Sequence, residues 1–120
     1  MGDPGVLPLL VLVDVQYGFV TATTRHIPAL IREHLDEFRG SYSTVVATQF
    51  LNPVGSNFER LISWTRFRDD SDTAIHKEIL PFVDEVVPKT TYGAVAQLKA
   101  TAERVGTSTV YLCGIDTDVC

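Results

Sequence analysis

From Pro8 to Val15 the chain runs apolar with one interruption, Asp14, placed at its end. The run shows no polar alternation, so a strand built from it must be buried on both faces. Such a strand sits inside a sheet that is covered by helices above and below. The rest of the chain is consistent with that demand. Thr44 to Phe50, Glu85 to Pro88 and Thr107 to Cys113 read as three further short strands, the last ended by Gly114. Between them, Ile27, Leu30, Ile31, Leu35 and Phe38 recur at helical spacing. They predict a helix from about Ile27 to Arg39, with Pro28 in its first turn and Gly40 at its close. Ala94 to Val105 predicts a second helix, stopped by Gly106. Strands alternating with helices give the expected fold: an α/β domain with three αβα layers and a mostly parallel sheet.

Two stretches are less regular. Leu51 to Asp72 contains Pro53, Gly55 and Asn57 and reads as a loop, long enough to suggest a functional role. Ser71 or Asp72 is expected to cap a short helix over Ile75 to Phe82. At the other end, Thr117 is placed to cap a helix that would carry Cys120 at its third position. A helix without a body buries nothing and does not form alone. The expectation is therefore a single domain over residues 1–120 that lacks its C-terminal part.

Composition narrows the function classes. The 120 residues are 45% hydrophobic and 21% charged, which fits a folded domain and not a disordered one. A formal net charge of -5 argues against a nucleic-acid backbone as partner. The apolar N-terminal stretch is too short to span a membrane and lacks the basic segment of a secretory signal. With only Cys113 and Cys120, close together in sequence, a disulfide framework is not expected, and a cytoplasmic setting is.

In open parallel sheets, ligands bind beyond the carboxyl ends of the strands. Asp14, Lys89 and Cys120 follow the first, third and fourth strands, so an acid, a cation and a thiol are able to converge on one edge. Three local segments sharpen this. They are Asp14-Val15-Gln16 with Phe19 following, Lys89-Thr90-Thr91-Tyr92-Gly93-Ala94, and Gly114-Ile115-Asp116-Thr117-Asp118-Val119-Cys120. In order and separation they resemble the signature segments of the isochorismatase-like hydrolases, a superfamily that includes nicotinamidases, N-carbamoylsarcosine amidohydrolases, ureidoacrylate hydrolases and isochorismatases. The last segment is the most specific of the three.

The resemblance implies a mechanism. Cys120 would be the nucleophile, its thiol activated by a helix N-terminus and a nearby cation. Asp14 would move the proton and Lys89 would favour the anionic species. The backbone N–H groups of Asp116 and Cys120 would form an oxyanion hole behind a cis peptide between Ile115 and Asp116. Asp118 reads as a first-turn acid facing the helix dipole. Cys113, inside an apolar strand, reads as a buried small hydrophobe.

The resemblance also has a gap. Nicotinamidases of this superfamily carry a metal site, with an Asp-x-His pattern after the second strand. Here Phe50 and Asn52 stand at those places. Phenylalanine cannot ligate a metal and asparagine is a poor substitute for imidazole. No metal and no other cofactor is expected. His26, His34 and His76 are scattered and read as structural or surface residues. Phe19 and Trp64 are the candidate pocket walls, with Phe50 beside them, although aromatic residues at such places also serve as core. Arg66 and Arg68 offer bidentate partners for a substrate carboxylate, or are simply solvated.

These readings predict a cysteine hydrolase that cleaves a C–N bond of a small amide or ureido compound without a metal. The alternatives are an isochorismatase-type vinyl ether hydrolase, which needs no cysteine, and an idle homologue that binds a small molecule. The expected partners are a small-molecule substrate and further copies of the chain in a homo-oligomer, with neither nucleic acid nor membrane.

Overall fold

The computed structural model describes residues 6–91 and 94–115. Four parallel strands, β1 (Leu9–Val13), β2 (Thr44–Phe50), β3 (Glu85–Lys89) and β4 (Val110–Gly114), form one sheet in the order β3-β2-β1-β4. The unalternating run supplies β1, and all five of its residues are buried. Its two faces feed two separate cores. Leu10 and Leu12 join Val45, Ala47 and the helix residues Ile31 and Leu35 on one side. Leu9, Val11 and Val13 join Val46 and Val87 on the other, with Leu98 and Ala102 packed against them. Each large apolar side chain buried in this way contributes about 1.5–3 kcal/mol.

Helix α1 (Ile27–Phe38) covers the first face and α4 (Val95–Val105) the second. Three layers result, as the sequence predicts. Pro28 lies in the first turn of α1, and Gly106 ends α4 in the left-handed conformation at φ 86°. Gly40 does not act the same way. The chain passes from α1 into a 3-10 turn over Arg39–Ser41, which ends in the extended residue Tyr42.

The stretch from Leu51 to Asp72 is not the irregular loop expected. It contains α2 (Asn57–Ile62) and the start of α3 (Asp70–Thr73). The overlooked signal is a short capping pattern: the Ser56 hydroxyl accepts from Glu59 N, and the Glu59 carboxylate turns back to accept from Gly55 N at 2.7 Å. The helix predicted over Ile75 to Phe82 is also absent. Asp69, not Ser71 or Asp72, precedes α3, and only a 3-10 turn forms over Leu80–Phe82. Ile75 instead bridges Gln16, with Tyr17 N donating to Ala74 O and His76 N to Val15 O. These tertiary bonds override the local helical preference.

Strand β4 begins at Val110, later than predicted, because the Thr107 hydroxyl folds back to accept from Thr109 N. Among the described residues it is an edge strand, and Leu112 is 58% exposed. Among the described residues no helix is long and apolar enough to cross a membrane.

Gln16 ties the sheet edge together. Fully buried, it accepts from Phe50 N at 2.8 Å and donates to Phe50 O and Thr73 O, both at 2.9 Å. Its side chain thus acts as a substitute strand between β2 and α3. Gln16→Leu keeps the volume but strips Phe50 of both bonds, so a loss of about 2–4 kcal/mol is expected in chemical denaturation. A loss below about 1 kcal/mol means that water replaces the amide.

Candidate active site

The strand order reverses at β1, between β2 on one side and β4 on the other, which is where open α/β sheets bind ligands. Asp14 follows β1 at that point. Lys89, placed by the sequence just after β3, is its last residue and pairs in register with Phe50. Lys89 Nζ lies 3.0 Å from Asp14 Oδ2, and the two side chains are 2% and 3% exposed. The acid and the cation predicted to converge are therefore in contact, at the carboxyl end of the sheet and shielded from water.

Thr48, which the sequence did not single out, completes the group. Asp14 N donates to Thr48 Oγ1 at 3.0 Å, and the Thr48 hydroxyl donates to Asp14 Oδ1 at 2.7 Å. Asp14 itself adopts φ 53°, in the left-handed region that few residues other than glycine enter.

The described chain leaves the sheet beside this pair. Gly114 is the register partner of Val13, and Ile115 N donates to Val13 O at 3.0 Å. A Cβ on Gly114 would stand 2.3 Å from Val13 O, and its φ is 140°, so only glycine permits this close approach. Asp116, Asp118 and Cys120, the peptide between Ile115 and Asp116, and the helix cap at Thr117 lie outside the described residues.

A cluster of aromatic rings stands next to Lys89's register partner. Phe50 is buried, with ring centroids 5.4 Å from Phe58, 6.0 Å from Trp64 and 6.2 Å from Phe19. Phe67 fills the centre, 4.1 Å from Phe19 and 5.5 Å from Trp64. The two predicted pocket walls, Phe19 and Trp64, thus share one cluster and both keep part of their surface exposed. Phe58 and Phe67 were not anticipated. Phe67 packs against Gly18, where a Cβ would sit 2.5 Å from the Phe67 ring.

Arg66 and Arg68 are not simply solvated. Arg66 pairs with Asp72 at 2.7 Å and Arg68 with Glu59 at 2.5 Å. Arg66 holds the Asp72 carboxyl below its ordinary range, helped by Phe67 N. Glu59 is lowered first by Gly55 N and then by Arg68. Both arginines fasten the loop that carries Trp64 and Phe67.

The residues at the nicotinamidase metal positions do not fit a metal. Phe50 is an aromatic core residue. Asn52 is buried, its amide nitrogen donating to Trp64 O and Arg66 O and its oxygen accepting from the Ser56 hydroxyl. An amide held in this way braces the loop, with both its nitrogen and its oxygen engaged in loop bonds. His34 contacts the Tyr42 hydroxyl at 2.5 Å, and His76 stacks on Tyr17 at 4.7 Å with its pKa lowered by burial. His26 immediately precedes α1. Among the described residues no group of three or more His, Cys, Asp or Glu side chains is placed to hold a metal. Cys113 is half-buried, not fully buried as expected, since β4 is an edge; burial pushes its thiol up to about 11.

Comparison with known proteins supports the same assignment of fold. The chain is similar to N-carbamoylsarcosine amidase from Thermoplasma acidophilum, at 24% identity and a TM-score of 0.80, over 96% of this chain and 71% of that one. An isochorismatase-like hydrolase from Alkaliphilus metalliredigens aligns at 19% identity and a TM-score of 0.78, over 96% and 70% of the two chains. A nicotinamidase/pyrazinamidase from Acinetobacter baumanii aligns at 20% identity and a TM-score of 0.70, over 98% and 75%. No curated protein matches the sequence. The family model for the isochorismatase domain matches residues 8–120, nearly the whole chain, and by that match the protein belongs to the isochorismatase family of hydrolases.

Proposed function

We propose that the protein is a cysteine amidohydrolase that cleaves a C–N bond of a small amide or ureido compound, without a metal, through a thioester on Cys120. The observation that carries this reading is the buried Asp14–Lys89 pair, 3.0 Å apart, beside the point where the chain leaves β4 toward Cys120.

In the proposed reaction the Asp14 carboxylate takes the Cys120 thiol proton, and the thiolate adds to the substrate carbonyl. The new C–S bond moves the carbonyl electrons onto oxygen, where the N–H groups of Asp116 and Cys120 receive the negative charge. Collapse of this intermediate breaks the C–N bond, and the leaving amine takes the proton from Asp14. Water then gives a proton to Asp14 and attacks the thioester. The acid leaves and Cys120 recovers its proton. Lys89 balances the negative charge that moves among sulfur, oxygen and carboxylate. Phe19 and Trp64 form the wall of the substrate pocket. Phe50 and Asn52, occupied by packing and loop bonds, are the reason for assigning no metal to the reaction.

The test is ammonia release from a panel of small primary amides and N-carbamoyl compounds, with iodoacetamide labelling followed peptide by peptide. Release is expected to survive EDTA and to fall in step with alkylation of Cys120. Cys113, its thiol pushed up to about 11 by burial, should stay unlabelled at neutral pH, since it holds roughly 100-fold less thiolate than an ordinary thiol. If no substrate releases ammonia, or if Cys120 is fully alkylated without loss of release, the proposal fails.

A further inference from the structure

We infer that Thr48 is the positioning residue for Asp14, holding the carboxylate where it meets Lys89; its role in turnover rests on the function proposed above. Three observations lead to it. The first is strand alternation. Leu10 and Leu12 point to one core, while Val46 and Val87 belong to the other. Straight continuation of β1 would send Asp14 to the side of Leu10 and Leu12. Thr48 and Lys89, two residues beyond Val46 and Val87, belong to the opposite side.

The second observation is how the crossing is made. Asp14 takes φ 53°, which breaks the alternation and brings its carboxylate to Thr48 and Lys89. Such a conformation disfavours a residue with a side chain and persists where its surroundings hold it.

The third is the form of the restraint. One hydroxyl holds both the backbone and the carboxylate of the same residue, accepting from Asp14 N at 3.0 Å and donating to Oδ1 at 2.7 Å. An N–H only donates and a carboxylate only accepts, so the direction of both bonds is fixed. Thr48 is 1% exposed and sits on β2 between strands paired on either side, so its oxygen has little freedom to move. Thr48 gives or takes no proton in the proposed reaction and acts through Asp14. It sets the place of the group that moves the proton.

Thr48→Val keeps the shape and removes both bonds, whereas Thr48→Ser keeps the hydroxyl. For Thr48→Val, kcat should fall about 10- to 100-fold with KM within about twofold of wild type, because small misplacement of a catalytic group has effects of that size. Thr48→Ser should restore most of kcat. The second readout is independent of turnover: the 13C signal of the Asp14 side-chain carboxyl, assigned by its loss in Asp14→Asn, should move in Thr48→Val and return in Thr48→Ser. Should the valine variant not fold, Thr48→Ala takes its place with the same expectations. An unmoved carboxyl signal overturns the inference, as does wild-type kcat in the valine variant or an equal loss in the valine and serine variants. Wild-type protein that releases no ammonia rejects the proposed function instead, and the carboxyl signal still decides where Thr48 holds Asp14.

Discussion

Cys120→Ala is expected to lower ammonia release by on the order of 10⁴-fold or more. The reaction proposed for this protein passes through a covalent bond to sulfur, and nothing else in an alanine variant forms that bond. Asp14→Asn should cause a loss of about 10²- to 10⁴-fold, because an amide cannot accept the thiol proton. Cys113→Ala serves as the internal control. Its raised thiol lies on the edge strand, and its removal should leave turnover within about twofold. The measurement is steady-state ammonia release by a coupled assay, with each variant first shown to melt cooperatively. Retained ammonia release in Cys120→Ala would remove the thioester from the reaction. No ammonia release by the wild type across the panel would favour the two alternatives, vinyl ether cleavage, which needs no cysteine, or an idle binding homologue, and turnover of a vinyl ether substrate separates them.

The fold was legible where a single physical requirement dominates a segment. An unalternating apolar run has to be covered on both sides, and β1 is. A helical repeat ending at a residue that needs a left-handed backbone stops there, and Gly106 does. Legibility fell where bonds between distant segments decide. Nothing local in Ile75 to Phe82 announces that Ile75 will bridge Gln16 and lose its helix. The site divides in the same way. Asp14 and Lys89 came from short motifs, and the strand order brings them to 3.0 Å. Thr48 was hidden because a threonine within TVVATQF is an ordinary strand residue by propensity. Its role depends on the backbone angle of a residue 34 positions earlier. Phe67 was hidden for a related reason. Its φ of 65° is sustained by Asp72, which accepts from its N–H, and by Asn52, which donates to its carbonyl.

Lys89→Met should destabilise the fold by about 3–5 kcal/mol, measured by urea denaturation at neutral pH. Methionine matches the length of the lysine stem, so packing is largely kept and the change isolates the charge. What remains is a buried carboxylate deprived of the cation 3.0 Å away, in surroundings that exclude water. The mutual attraction of such a pair offsets two large desolvation terms, which is why losing one partner is worse than losing both. The double variant Asp14→Asn, Lys89→Met should therefore be more stable than Lys89→Met alone. A surface pair would behave otherwise, with each single change worth about 1 kcal/mol or less and little coupling between them. If Lys89→Met loses less than about 1 kcal/mol, water reaches the pair in solution and the shielded acid–cation site is wrong. If the loss is large and the double variant is at least as stable as the wild type, the protein is holding two opposed charges inside the sheet edge at a net expense to its own stability. Packing alone does not explain such an arrangement, whereas the proton transfer proposed for Asp14 would make use of it.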